Sequence, residues 1–91
     1  MRIDYDPGKD AVNERKHGVS LAYADQVLAD PSRVVVRDMR ADYGEDRYVA
    51  YGMAEGRVWV CVYADWGDMI RAISVRKAND REQRRYRDTP R

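Results

Sequence analysis

Residues 47–77 read RYVAYGMAEGRVWVCVYADWGDMIRAISVRK, and the reading of this stretch decides the fold. Val58, Val60 and Val62 alternate with Trp59, Cys61 and Tyr63, the period-2 signal of a strand with two different faces. Arg47 to Met53 reads as the strand before it, with Ala54-Glu55-Gly56 as the turn between them. Ala64-Asp65-Trp66-Gly67-Asp68 is the next turn, and Met69 to Val75 is the last strand. Turns this short predict an antiparallel meander, because a parallel neighbour needs a crossover of a dozen or more residues.

Upstream, Val34-Val35-Val36 is a β-branched run and a further strand. Asp30-Pro31 ends the element before it, since the residue preceding a proline is pushed out of helical geometry. That element is a helix capped by Ser20, with Leu21, Ala24, Val27 and Leu28 along one stripe. Asp6-Pro7 starts an earlier, polar helix over Gly8 to His17, and Gly18 stops it in the left-handed conformation. Arg2 to Tyr5 alternates as a short first strand. Downstream, Asn79-Asp80-Arg81-Glu82 spells a capping box and opens a final helix to about Arg87. The order β-α-α-β-β-β-β-α predicts an α+β fold. Its sheet is mainly antiparallel, of about four strands, with two N-terminal helices, one C-terminal helix and all helices on one face. The other face is expected to carry Tyr48 or Tyr51, Trp59, Tyr63 and an arginine or two.

The 91 residues suit a single domain spanning 1–91, with a tail that frays from about residue 88. Apolar residues at 44% exclude a disordered chain, and no run approaches the ~18 apolar residues of a membrane span. The start, MRIDYDPGKD, lacks the apolar stretch of a secretory signal, and the single cysteine, Cys61, makes no internal disulfide, so a cytoplasmic location is expected. One cysteine and one histidine do not build a Cys/His zinc site, and no metal or cofactor is expected. The net charge of +1 hides an asymmetry: residues 1–70 carry 9 basic and 13 acidic side chains, residues 71–91 carry 8 and 3. The basic end makes nucleic acid a candidate partner, with a solvated helix face as the plainer alternative.

Three groups of residues can carry chemistry. Lys16-His17 combines a proton-transfer group near neutrality with a cation; the alternative is a pair of cations placed to suit a helix C-terminus. Arg47, Arg71 and Arg76 lie in or at the end of apolar strands, where a guanidinium needs a partner: a phosphate, or carboxylates of neighbouring strands. Arg71 and Arg76 have opposite parity and share a face only if a bulge intervenes or the strand has ended. Tyr43, Tyr48, Tyr51, Trp59, Tyr63 and Trp66 can stack bases or, in a chain without phenylalanine, fill the core. Asp42 to Asp46 lacks calcium-loop spacing and reads as a solvated loop.

Taken together, Asp6-Pro7-x-Lys9, Asn13-x-x-Lys16-His17-Gly18-Val19-Ser20, Ala24-x-x-Val27 and Asp30-Pro31 resemble the opening of BrnT-type toxins. Arg47-Tyr48-x-x-x-Gly52, Ile70-Arg71-x-Ile73-Ser74-x-Arg76-x-Ala78, Glu82 and Tyr86 resemble the middle and end of that pattern. Tyr5 stands where Trp is common, Leu21 where Phe is usual, and Asp46 where Glu is usual. The resemblance implies a RelE-like fold and the toxin half of a type II toxin–antitoxin pair, a metal-independent ribonuclease that stops translation and growth. It implies a BrnA-like ribbon-helix-helix antitoxin as partner, RNA as substrate, and operator DNA reached only through the antitoxin.

For such chemistry Arg71 and Arg76 are expected to clamp phosphate, with Lys16 and Arg47 in support and His17 moving the proton. Arg81, Tyr63 and Tyr86 are expected to hold RNA. The competing readings are a module that binds nucleic acid through the basic C-terminal helix without cutting, and a partner-holding protein with no RNA effect.

Overall fold

The computed structural model describes residues 2–91. Its elements are β1 (Ile3–Asp4), α1 (Pro7–His17), a 3-10 turn (Leu21–Tyr23), α2 (Ala24–Leu28), β2 (Val34–Arg37), β3 (Arg47–Ala54), β4 (Arg57–Asp65), β5 (Ile70–Lys77) and α3 (Asp80–Asp88). The helix ends follow the expected chemistry. The Lys9 amide donates to the Asp6 carboxylate at 2.9 Å, and Gly18 closes α1 at φ 72°. At α3 the Glu82 amide donates to the Asn79 side chain and the Asn79 amide to the Glu82 carboxylate, both at 2.9 Å.

Three expectations are corrected. The sheet has five strands in the order β1-β5-β4-β3-β2 and is mixed, because β1 joins β5 in parallel. The Ile70 amide donates to the Arg2 carbonyl and Arg71 pairs with Asp4, long-range bonds that alternation within Arg2 to Tyr5 does not reveal. The second helix is split: the Tyr23 amide bonds three residues back to Ser20, and only Ala24–Leu28 is α-helical. Its stripe survives the split, with Leu21, Ala24, Val27 and Leu28 all buried. Finally, the helices do not share a face. The 3-10 turn and α2 pack on the side of Trp59, Cys61, Ala50 and Val75, whereas α3 crosses the side of Val58, Val60, Tyr51 and Val34 through Tyr86. Trp59 therefore belongs to the helix-packed core, its indole N–H donating to the Ala54 carbonyl at 3.1 Å.

One feature of the α2 side explains its tightness. A Cβ built on Gly52 would lie 2.2 Å from the Val27 carbonyl oxygen, so backbone meets backbone where α2 ends on β3. At the outer edge of β5, Asn13 of α1 acts as a substitute strand. Its side-chain amide donates to the Val75 and Val19 carbonyls, and its oxygen accepts from the Val75 amide at 3.3 Å.

Candidate nucleic-acid interface

The bulge posed as a condition by parity is present. Val62 pairs with Ser74 and Tyr63 with Ala72, which leaves Ile73 as the extra residue of β5. Arg71 then sits opposite Ala64 and Arg76 opposite Val60, so both lie on the α3 side, as does Arg47, the other neighbour of Ala64.

Each of these arginines already holds a carboxylate. Arg76 makes a two-pronged pair with Glu82 at 2.8 Å on both prongs, which lowers the Glu82 pKa and raises that of Arg76. Arg71 contacts Asp4 at 3.2 Å and lies over Trp66. Arg47 contacts Glu45 at 3.0 Å and lies 4.0 Å from the centre of the Tyr43 ring. The guanidinium groups diverge: Arg76 turns toward α3, Arg71 toward β1 and the β4–β5 turn. They do not form one clamp around a single phosphate as they stand.

Between α3 and the loop after β2 runs an open groove of about 490 Å³. Val36, Val49, Tyr51, Val60 and Val62 floor it, and Arg37, Arg40, Arg76 and Arg85 rim it with Asp38 and Glu82. Arg40 pins Asp38 through hydrogen bonds at 2.8 and 2.7 Å, holding its pKa down to about 2 against its burial. Arg85 lies over the Tyr51 ring at 5.5 Å.

Lys16 and His17 stand outside this groove, in a hollow at the outer edge of β5 shared with Lys9, Val12, Asn13, Ile73 and Ser74. Ser74 of the hollow pairs with Val62 of the groove floor, and Arg76 of the groove rim follows it two residues later on β5. Burial lowers the His17 pKa, and the positive charges of Lys16 and Arg76 lower it further. Both effects favour the neutral imidazole, the form that accepts a proton.

Two residues expected to hold RNA stand apart from the groove. Tyr86 is only 7% exposed, and its hydroxyl donates to the Asp30 carboxylate at 2.5 Å, so it anchors α3 instead of stacking a base. Tyr63 stacks on Tyr48 at 5.6 Å on the face away from Arg76. Arg81 is exposed on α3, beside Arg85. Among the described residues no three His, Cys, Asp or Glu side chains gather to hold a metal ion.

The family model for the ribonuclease toxin BrnT of type II toxin-antitoxin systems matches residues 5–82. The chain belongs to this family. Membership in the BrnT family makes it a ribonuclease toxin with an antitoxin partner. No curated protein matches the chain. The BrnT match takes in α1, strands β2 to β5 and the α3 cap, and ends at Glu82, before Arg85 and Tyr86. No helix among the described residues is long and apolar enough to cross a membrane.

Sequence reasoning gives no role to Lys9, Ser74 or Arg85, and it offers carboxylates as partners of the arginines without identifying them. Lys9 and Ser74 stood inside the BrnT-like motifs without a role. The partners Asp4, Glu45 and Glu82 come from three separate elements, and no spacing along the chain marks them as a set.

Proposed function

We propose that this BrnT family member is an endoribonuclease that needs no metal ion, working at the β5 edge where His17 and Arg76 flank Ser74. The 2′-hydroxyl of RNA attacks the adjacent phosphorus, and His17 takes its proton. Arg76 swings from Glu82 to the phosphate and offsets the charge that builds on its oxygens, with Lys16 beside it. The P–O5′ bond breaks, the 5′-oxygen takes up a proton, and a 2′,3′-cyclic phosphate remains. Arg47 and Arg71 lie too far along the sheet for the same phosphate and guide the flanking strand. Cleavage of this kind stops translation in the cytoplasm. A BrnA-like antitoxin neutralises the toxin, and its ribbon-helix-helix domain makes the contact with operator DNA.

The observation carrying this reading is that His17 and Ser74 line one hollow at the β5 edge, while Arg76, two residues on from Ser74 and on the same strand face, lies near enough for its charge to act on His17. The test is purified chain with RNA in excess chelator, followed by end analysis. New 5′-hydroxyl and 2′,3′-cyclic phosphate ends at substoichiometric protein are expected. Arg76→Ala should slow cleavage by roughly 100-fold or more in a chain that still melts cooperatively, with only the modest loss of stability that follows from releasing Glu82. Cleavage that stops in chelator overturns the metal-free mechanism, and a fully active Arg76→Ala overturns the clamp. A salt-sensitive gel shift without new ends would favour the binding module.

A further inference from the structure

The hollow between α1 and β5, of about 280 Å³, is larger than proton transfer at His17 requires. Its three cationic or protonatable side chains are Lys9, Lys16 and His17, and no acid lines it. Among the described residues none of the three is in an ion pair, in contrast to Arg47, Arg71 and Arg76. Lys9 and Lys16 are seven positions apart, two helical turns, and so stand on one face of α1 about 10 Å apart along its axis. Between them Val12 is 48% exposed, and Ile73, bulged out of the ladder, faces the same hollow. Asn13 is already committed to the β5 edge.

We infer that this hollow is a second phosphodiester subsite, in which Lys9 holds the RNA backbone beyond the phosphate gripped by Arg76. Val12 and Ile73 underlie the ribose, and the strand leaves the cut along the α1–β5 cleft, not along the basic helix α3. The inference rests on the ribonuclease reading for its ligand. A lysine is a point charge that grips any phosphate without reading a base, so the subsite adds affinity and leaves sequence preference to other contacts.

The probe is a fluorescein-labelled 2′-O-methyl oligoribonucleotide, which lacks the attacking hydroxyl, titrated by anisotropy at several salt concentrations. Lys9→Ala should weaken binding roughly threefold to tenfold and flatten the slope of log K against log salt by about 0.7. Its fold is safe, because the side chain is exposed and only the Lys9 amide is bonded, to Asp6. Arg84→Ala, on the exposed part of α3, should change neither quantity. On cleavable RNA, Lys9→Ala should raise KM and leave kcat unchanged. Wild-type affinity and slope in Lys9→Ala overturn the subsite, as does a loss carried by Arg84→Ala instead, or an oligonucleotide that does not bind at all. Cleavage that persists while Lys9→Ala binds normally sinks the subsite alone. Binding through Lys9 without cleavage sinks the ribonuclease and leaves the subsite standing.

Discussion

The side of the sheet under α2 and the side crossed by α3 share the same strands but are packed to different depths. Under α2 the sheet presents Ala50, Gly52, Cys61 and Ala72, small enough for a helix backbone to touch β3. Cys61 is sealed there, and burial pushes its thiol up to about 12. Across the sheet, α3 is held by one buried ring, Tyr86, and by polar bonds to Asp30 and Arg76. The remainder of that side is a groove of valines rimmed by arginines. The difference teaches that the sheet is anchored from one side so that the other can stay open. On the open side Arg37, Arg40, Arg47, Arg71 and Arg76 are each paired with a carboxylate, whereas among the described residues Lys9, Lys16 and His17 at the β5 edge make no ion pair.

The largest effect should come from closing the gap under α2. Gly52→Ala places a methyl group against the Val27 carbonyl, and neither backbone can yield without moving α2. A loss of about 3 kcal/mol or more is expected, enough to leave little folded protein in a thermal melt. A wild-type melting temperature would show that this side is less rigid than its geometry.

A smaller effect should follow from loosening the other side. Tyr86→Phe keeps the buried ring and removes the hydroxyl that Asp30 accepts, while Asp30 retains the Met53 and Ser32 amides. A cost of about 1–2 kcal/mol is expected, a fall of roughly 5–10 °C in calorimetry. An equal loss in Tyr86→Phe and Gly52→Ala would erase the contrast between the two sides.

The smallest effect concerns acid. Asp38 has a folded pKa of about 2 against an ordinary 3.8, because Arg40 hydrogen-bonds its charged form. The folded value is the lower one, so the stabilisation is present above pH 3.8 and fades as pH falls toward 2. Arg40 is largely exposed, which keeps the contribution modest. Denaturant titrations between pH 5 and 2 should show a shallower decline in Asp38→Asn than in the wild type. Parallel curves would remove Asp38 from the account.

Much of this was legible along the chain because it depends on neighbours along the chain. Asp6, Gly18 and Asn79 cap helices within one turn of themselves, and the β3–β4–β5 meander follows from alternation and short turns. The BrnT-like motifs likewise pointed to the family that the comparison establishes. Parity even isolated the question about Arg71 and Arg76, although the answer lay in the ladder. The site was less legible. Tyr86 was read as an RNA contact because nothing near it in sequence shows that Asp30, 56 positions away, takes its hydroxyl. For Arg47, Arg71 and Arg76 the residues alone leave phosphate and carboxylate open as partners, because the carboxylates that hold them lie on a loop, on β1 and on α3.

Local bonding, periodicity and motif content thus marked most of the elements and the α+β class and pointed to the family, since those signals act over a few positions. Tertiary structure alone settled that β1 runs parallel to β5, that α3 crosses to the face opposite α2, and which cations are left without an acid. These depend on long-range pairing, where loop closure and competition among many carboxylates choose the partner, and no local pattern encodes that choice.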